Sequence, residues 1–344
     1  MKLAVTGGAG FLGYHICAQL KDEYKEIYVL DIAPIDPKEY PKNAKYFHCD
    51  VRKPKQLDKI FKKVDVVVHA AAALPLWKKD EIFKINVDGT KNVLKTALKN
   101  KIKRVVFISS TAVYGVPEKH PIFEDAPLIG VGPYGESKIK AEKICLDFRK
   151  KGIYIPIIRP KTFIGTGRLG VFQILYDWVE SGKRIPVIGN GKNRYQLLEV
   201  EDLVNAIYSA LATKSNKGND TFNVGAEKFD KVEKDVGALC RYAKAGATVL
   251  PIASWLAKPP LIAFEKLKLS PLYKWVYDTA DKDSFVSTEK IKKKLGWSAK
   301  YSNSQALIKS YKWYLDHKDE LSGSGITHRV AWNQGILALI KKFM

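Results

Sequence analysis

Tyr134 and Lys138, in the stretch "PYGESKIKAEK", lie four positions apart and therefore on one face of a helix. A free tyrosine has a pKa of roughly 10 and is a weak base near neutrality. A nearby ammonium group and a bound cofactor cation lower that pKa. Lys138 would stabilise the phenolate and anchor a ribose, and Tyr134 would exchange a proton with a substrate hydroxyl or carbonyl. The spacing alone also fits a chance pair on a lysine-rich helix.

Small hydroxyl residues follow a buried strand in the stretch "FISSTAVYG". Ser109, Ser110 and Thr111 come where the strand ends, and ligands of open α/β sheets bind at that edge. We expect Thr111 to hold the reacting oxygen beside Tyr134. Without a ligand, such residues are turn formers or helix caps.

A glycine-rich turn, "TGGAGFLG", joins the first strand to the first helix. Gly7, Gly10 and Gly13 let backbone amides approach a phosphate, and the helix N-terminus adds partial positive charge. Phe11 and Leu12 belong to the same predicted contact set. The alternative is a tight turn without a ligand.

Two aspartates end the next two strands. Asp31, in "VLDI", is placed to accept hydrogen bonds from an adenosine ribose, and its charge would repel a 2′-phosphate. The sequence therefore favours NAD over NADP. Asp50, with Val51 beside it, is predicted to lie on the adenine side. Either aspartate could instead cap a helix or stabilise a loop.

The elements that position these residues alternate in type along the chain. Apolar strands without alternation, separated by amphipathic helices, predict an α/β fold with a parallel sheet covered on both sides. We predict an NAD-binding Rossmann domain over residues 1–165, to which 190–225 contribute. Residues 166–320 are predicted to form mainly a substrate-binding lobe. Within it, the Pro- and Trp-rich segment 249–275 is expected to form an apolar wall, with prolines that break any long helix.

The last residues, 321–344, are predicted to form a basic amphipathic helix. Apolar Ile336, Leu339 and Phe343 stand beside Lys341 and Lys342. A tryptophan, Trp332, precedes them. Such a helix lies on an anionic membrane or docks on its own core or a second subunit.

Composition limits the remaining classes. The 344 residues carry 58 Lys and Arg against 36 Asp and Glu, a net charge of +22, spread over the chain as on a solvated surface. No nucleic-acid-binding motif is present, so no nucleic-acid partner is expected. Cys17, Cys49, Cys145 and Cys240 stand singly, which predicts reduced thiols and no metal site. No apolar run reaches the ~18 residues that a spanning helix needs.

Together, the motifs resemble the extended short-chain dehydrogenase/reductase superfamily, in its NAD-dependent epimerase/dehydratase branch. The resemblance covers residues 1 to about 212, and "STEKIKKKLGW" near residue 290 is similar to the branch's closing signature. It runs through "TGGAGFLG", "VLDI", "HAAA", "INVDGTKNVL", "FISSTAVYG", "PYGESK", "IIRP" and "VEDLVNAI". The resemblance implies a seven-stranded Rossmann sheet, a small C-terminal substrate lobe, tightly held NAD and often a dimer formed by helix pairing.

Further residue roles come only from this resemblance. It implies that Asn86 supports the nicotinamide side of the cofactor. It also implies that three alanines line the cofactor; the alternative role of these alanines is tight packing of a helix on a strand. These are Ala70, Ala71 and Ala72. It also implies that Thr111, Tyr134 and Lys138 form the catalytic trio. In the epimerases of this branch, the tyrosine takes the proton of a sugar hydroxyl as NAD accepts the hydride.

The chain departs from the family pattern on the substrate side. Ala112 and Val113 stand where sugar-nucleotide dehydratases carry an acidic pair, so dehydration by that route is not expected. Leu74 replaces a lysine that is typical of galactose-type epimerases. Thr162 replaces an asparagine, and Tyr195 a diphosphate-binding arginine, with Arg194 displaced by one. Thr162, Arg194 and Tyr195, with Thr111, are the candidate substrate-binding residues.

We therefore expect a cytoplasmic, homodimeric NAD-dependent epimerase or oxidoreductase that acts on a small-molecule sugar, expected to be nucleotide-linked. The alternative is a 3β-hydroxysteroid-dehydrogenase-like enzyme that acts on a membrane-derived lipid, with peripheral membrane contact through the C-terminal helix. A non-catalytic NAD-binding protein is a third reading, against which the catalytic trio argues.

Overall fold

The computed structural model describes residues 1–213, 215–267, 274–321, 329 and 334–344. Its central sheet has seven parallel strands in the order β10-β6-β5-β4-β1-β2-β3. These strands are β1 (Lys2–Thr6), β2 (Glu26–Asp31), β3 (Ala44–His48), β4 (Val66–His69), β5 (Arg104–Ile108), β6 (Ile157–Pro160) and β10 (Thr221–Val224). Two smaller parallel pairs are β7 (Thr162–Ile164) with β9 (Leu197–Glu199), and β8 (Arg184–Ile188) with β11 (Thr248–Ile252).

Helices cover both faces of the central sheet, as its buried apolar strands require. A π-helical segment, Lys84–Gly89, joins helix α3 (Lys79–Phe83) to helix α4 (Thr90–Lys99). The helices are α1 (Phe11–Gln19), α2 (Pro54–Phe61), α3 (Lys79–Phe83), α4 (Thr90–Lys99), α5 (Gly132–Arg149), α6 (Val171–Glu180), α7 (Val200–Ala212), α8 (Val232–Ala243), α9 (Ser254–Lys266), α10 (Lys274–Thr279), α11 (Glu289–Leu295), α12 (Asn303–His317) and α13 (Ile336–Lys342). The doubly wound Rossmann fold is thus confirmed.

Two apolar clusters lie on opposite faces of the central sheet. One combines β1 with α1 and α7, and the other packs α2, α4 and α5 against the sheet. Ile291 and Trp297 also belong to the first cluster, so residues near 290, predicted in the substrate lobe, pack on the Rossmann domain. All four cysteines are buried and free.

The smaller lobe has its own core, built from α6, α8, α12 and β8. Its buried aromatic residues include Tyr176, Trp178 and Tyr311. Cluster members from α6 and α12 are more than a hundred residues apart in sequence, so the lobe forms only when the chain returns to it.

The C-terminal helix is shorter than predicted, since α13 spans Ile336–Lys342 and Leu321 is not helical. Its Leu337 side chain is buried in the lobe core, and Lys341 forms an ion pair with Asp177 of α6 at 2.6 Å. The predicted interfacial Trp332 lies outside the described residues. One face of this helix is therefore docked on its own chain. Within the described parts of the chain, no helix is long and apolar enough to cross a membrane.

Helix α9 differs from the expectation for segment 249–275. Pro259 and Pro260 lie inside this 13-residue helix and do not end it. Its Trp255 and Leu256 side chains are exposed, so they do not form a buried wall of the lobe. The prediction was wrong because apolar composition was taken as burial, whereas this helix turns its apolar side outward.

Candidate active site

Helix α5 carries three polar side chains toward the sheet, spaced by four residues. They are Tyr134, Lys138 and Glu142. The buried Lys138 ammonium donates to the carbonyl of Ile108 at 2.9 Å and lies 5.8 Å from the Tyr134 ring centroid. Burial lowers the pKa of Lys138 to about 8 and raises that of Tyr134 to about 12. The helical period alone thus places the predicted acid–base pair together.

The two neighbouring hydroxyls at the end of β5 have different partners. The Ser110 hydroxyl lowers the Tyr134 pKa against the effect of burial, and its oxygen accepts from the Ala112 amide at 3.1 Å. The Thr111 hydroxyl donates to the carbonyl of Pro160 at 3.3 Å. Both residues line the cavity described below. Ser110 therefore acts on the phenol, and the role predicted for Thr111 remains a prediction.

The glycine loop leaves no room for side chains where a phosphate would approach. A Cβ on Gly13 would lie 2.1 Å from the carbonyl oxygen of Gly7, and one on Gly7 would lie 2.7 Å from Ala71. Gly7 also has a φ of +72°, which favours glycine. Gly10 precedes α1, so the first amides of that helix, including those of Phe11 and Leu12, have no intrahelical partner.

Asp31 lies at the end of β2, beside the glycine loop. Its carboxylate accepts from the amides of Ala9 and Ala33, each at 3.0 Å. This position beside the loop is where a ribose bound at its hydroxyls would lie. The glycine loop and Asp31 therefore fit NAD.

Asp50 has a partner within the chain. Arg52 donates to both of its carboxylate oxygens, at 2.8 to 3.0 Å, and this pairing lowers the Asp50 pKa against the effect of burial. Val51 is buried in the core, where a Cβ on Gly89 would lie 2.7 Å from its side chain. The adenine contact predicted for Asp50 and Val51 remains a prediction.

Asn86 connects the loop after β4 to helix α5. Its amide accepts from the Ala73 amide at 2.8 Å and donates to the Ser137 hydroxyl at 3.0 Å. Ser137 in turn donates to the backbone carbonyl of Tyr134 at 2.7 Å. Asn86 therefore positions the first turn of α5. The half-buried alanines at the start of this loop are Ala70, Ala71 and Ala72.

A cavity of about 420 Å³ lies between the sheet edge and the smaller lobe. Tyr134, Ser110 and Thr111 line its catalytic side, and most of the remaining wall is apolar. Its apolar lining includes Leu74, Val131, Phe163, Phe172, Leu175, Val236 and Leu307.

Of the three substrate-binding residues predicted on the lobe side, two line this cavity and one does not. Thr162 and Tyr195 line the cavity, and their hydroxyls are 3.1 Å apart. Arg194 is not among the lining residues; its guanidinium forms an ion pair with Asp283 at 2.9 Å. The displacement of this arginine by one position thus turns it away from the cavity.

Lys161 is a cavity residue that the sequence reasoning missed. It follows directly after β6 and is only 4% exposed. Its ammonium donates to the Ser284 hydroxyl at 2.6 Å and lies 5.0 Å from the Tyr195 ring centroid. Burial lowers its pKa to about 7. The available signal was its place directly after the "RP" of "IIRPK".

The sequence profile of the NAD dependent epimerase/dehydratase family matches residues 3–225. The chain therefore belongs to this family, and NAD is its cofactor. The class of protein is thus an NAD-dependent enzyme of the epimerase type.

Individual relatives and a solved structure are similar to most of the chain. The uncharacterized protein y4nG of Sinorhizobium fredii is 32% identical over 342 residues, covering 98% of this chain and 84% of the relative. A UDP-glucose 4-epimerase of Lactobacillus helveticus is 30% identical over 353 residues, covering 92% and 98%. The structure of a Thermotoga maritima UDP-glucose 4-epimerase with UDP-glucose has the same fold, with a TM-score of 0.75, 23% identity and coverage of 92% and 100%.

Proposed function

We propose that this protein is an NAD-dependent epimerase that acts on a nucleotide-linked sugar. The observation that carries the proposal is the placement of Tyr134 and Ser110 in the wall of one cavity, with the buried Lys138 ammonium 5.8 Å from the Tyr134 ring centroid. The L. helveticus relative, a UDP-glucose 4-epimerase, supports the substrate class.

The proposed chemistry is a reversible proton transfer at the sugar hydroxyl. NAD, when bound, supplies the hydride acceptor. Tyr134 takes the hydroxyl proton and later returns it, while the Ser110 hydroxyl holds the reacting oxygen. The buried Lys138 ammonium stabilises the phenolate, because opposite charges attract strongly where water is excluded. Asn86 and Ser137 hold the backbone of this turn in place.

The experiment that tests the proposal is the change Tyr134→Phe. This change removes one hydroxyl and keeps the ring, so NAD affinity should stay within about threefold while turnover falls by at least about 10²-fold. Calorimetry with NAD and an epimerisation assay with UDP-, GDP- and dTDP-sugars measure the two quantities. Unchanged turnover would remove Tyr134 from the mechanism.

A second candidate function is the oxidation of a hydroxyl on a membrane-derived lipid. The observation that favours it is the largely apolar lining of the cavity. A screen of 3-hydroxysteroids and nucleotide sugars against the NAD-loaded protein separates the two functions. Accumulating NADH absorbance with a steroid indicates a dehydrogenase, whereas sugar epimers formed without net NADH indicate the epimerase.

We further propose a cytoplasmic homodimer, which the family resemblance implies. Analytical ultracentrifugation of the NAD-loaded protein measures the mass of the assembly directly.

Peripheral membrane contact through α13 is a separate proposal. Its support is the exposure of Leu339 and Phe343 on the side of α13 that does not pack on the lobe.

A further inference from the structure

The Lys161 ammonium is a buried positive charge without a protein counter-charge. Among the described residues, no carboxylate lies within 4 Å of it, and the Ser284 hydroxyl is its hydrogen-bond partner. Removing a charge from water costs several kcal/mol unless an opposite charge replaces the lost hydration. Since an ammonium has three N–H donors, further donor capacity remains for a ligand.

The groups around Lys161 do not supply that opposite charge. Asp283 is paired with Arg194, and Asp235 accepts from Asn303 at 2.9 Å, with its pKa raised by burial. The other titratable or charged groups of the surrounding wall and loops are Tyr134, Arg168, Tyr195, Asp281, Lys282 and His120. Asp281 forms an ion pair with Lys258 at 2.8 Å.

We propose that Lys161 binds an anionic oxygen group of the substrate, a phosphate or a carboxylate, at the lobe side of the cavity. This inference rests on the proposed function, because it places the anion in the same cavity as Tyr134. Pro160 and Thr162 flank Lys161, and the Pro160 carbonyl accepts from Thr111 at the catalytic edge. The reacting sugar and its anionic group therefore lie on adjacent parts of one wall. A neutral steroid would leave the ammonium without a counter-charge.

The test compares Lys161→Met with the wild type, as full-length NAD-loaded proteins. Calorimetric titrations use UDP, UDP-glucose, UDP-glucuronate and free glucuronate. Weaker binding of UDP and both UDP-sugars, by roughly 10- to 100-fold, would identify a phosphate as the anion, since hydrogen bonds to charged groups contribute about 1.5–3 kcal/mol. Selective loss with the two glucuronates would identify a carboxylate. Equal affinities of wild type and variant for all four probes would overturn the proposal.

The pH dependence separates this role from a structural one. Wild-type affinity for the anionic probe should fall as the pH rises above about 7, where the free ammonium loses its proton, and the Met variant should show a flat profile there. The variant should also unfold at an equal or higher temperature, because it removes a buried uncompensated charge. A wild-type profile that is flat across this range contradicts the proposal.

Failure of the anion site and failure of the proposed epimerase function give different results. Probe binding that depends on Lys161, together with no turnover of any nucleotide sugar, would reject the epimerase and keep the anion site. Turnover of a nucleotide sugar, together with unchanged probe affinity in Lys161→Met, would keep the epimerase and reject the anion site.

A second, independent observation concerns helix α9, whose solvent face is apolar. Those of its polar side chains that the structure describes face the protein: Lys258 pairs with Asp281 at 2.8 Å, and the Tyr277 hydroxyl donates to Glu265. The described side chains of its solvent face are all apolar, and Trp255 is 75% exposed. They are Trp255, Leu256, Pro259, Pro260, Ile262, Ala263 and Leu267.

We infer that this α9 face binds an anionic lipid surface. A contiguous apolar face of this kind marks an interaction site, and seven residues are too few for a dimer interface, which uses about 20–30 residues a side. The chain carries a net charge of +22, and exposed Lys282 directly follows the Asp281 that anchors α9. A tryptophan with nearby lysines suits the headgroup region of an anionic bilayer.

Vesicle sedimentation tests this inference with the full-length protein. The protein should bind vesicles containing phosphatidylglycerol and should bind pure phosphatidylcholine at least about fivefold less. The double change Trp255→Ser and Leu256→Ser should remove most of the binding, whereas Leu98→Ser and Leu146→Ser, two exposed leucines on α4 and α5, serve as the matched control. Absent vesicle binding, an equal loss in the control, loss only with Leu339→Ser and Phe343→Ser on α13, or a dimer that the α9 changes dissociate would each overturn the inference.

Discussion

At the residue scale, two adjacent hydroxyls give a sharp test of the site, because the Ser110 hydroxyl lowers the Tyr134 pKa whereas the Thr111 hydroxyl donates to the Pro160 carbonyl. We predict that Ser110→Ala lowers kcat by about 10- to 100-fold, whereas Thr111→Val changes it by less than about threefold, since one positioned hydrogen bond contributes about 1–3 kcal/mol. Steady-state kinetics on the best nucleotide sugar measure both. The reverse order of effects would restore the sequence-based assignment of Thr111.

Also at the residue scale, Asp31 is predicted to set the preference for NAD over NADP. We predict that the wild type binds NAD at least about tenfold more tightly than NADP, because a carboxylate beside the ribose repels a 2′-phosphate. Asp31→Asn keeps the acceptor oxygen but removes the charge, so the ratio of the two affinities should narrow. Calorimetric titration with both cofactors measures it, and equal wild-type affinities would show that Asp31 does not face the ribose.

At the element scale, a buried ion pair ties α5 to β6. Arg159 donates to Glu142 at 2.6 and 2.9 Å, and Ser109 donates to the same carboxylate. Glu142→Gln leaves a buried guanidinium without its counter-charge, so we predict a loss of about 3–5 kcal/mol in the free energy of unfolding.

The matched control lies on the same helix. Asp147 forms an exposed pair with Lys150 at 3.8 Å, so Asp147→Asn should cost about 0–1 kcal/mol. Urea unfolding monitored by circular dichroism measures both variants. Similar losses for the two would mean that the buried pair does not hold α5 in place.

At the scale of the whole molecule, the C-terminal helix completes the lobe. Leu337 is 8% exposed and Leu339 is 50% exposed, two leucines on one helix. We predict that Leu337→Ala costs about 2–3 kcal/mol of unfolding free energy, because it opens a cavity in the lobe core. Leu339→Ala should stay within about 0.5 kcal/mol. Thermal unfolding compares them, and equal effects would place the helix away from the core.

The sequence predicted most of the Rossmann domain, because buried parallel strands require apolar runs and the covering helices require a period near 3.6. Strands predicted at "KLAVTG" and "RVVFISS" are observed as β1 and β5. The α9 prediction was wrong, because composition does not show which side of a helix faces solvent.

The sequence by itself determined the family, the NAD cofactor and the spacing of Tyr134 with Lys138, since each depends on local order along the chain. The tertiary structure alone decided which hydroxyl lowers the Tyr134 pKa and which way Arg194 points. It also showed that Lys161, one of many lysines in the sequence, is buried at the cavity. The reason is physical: burial and contact depend on segments far apart in sequence, as Lys161 and Ser284 are.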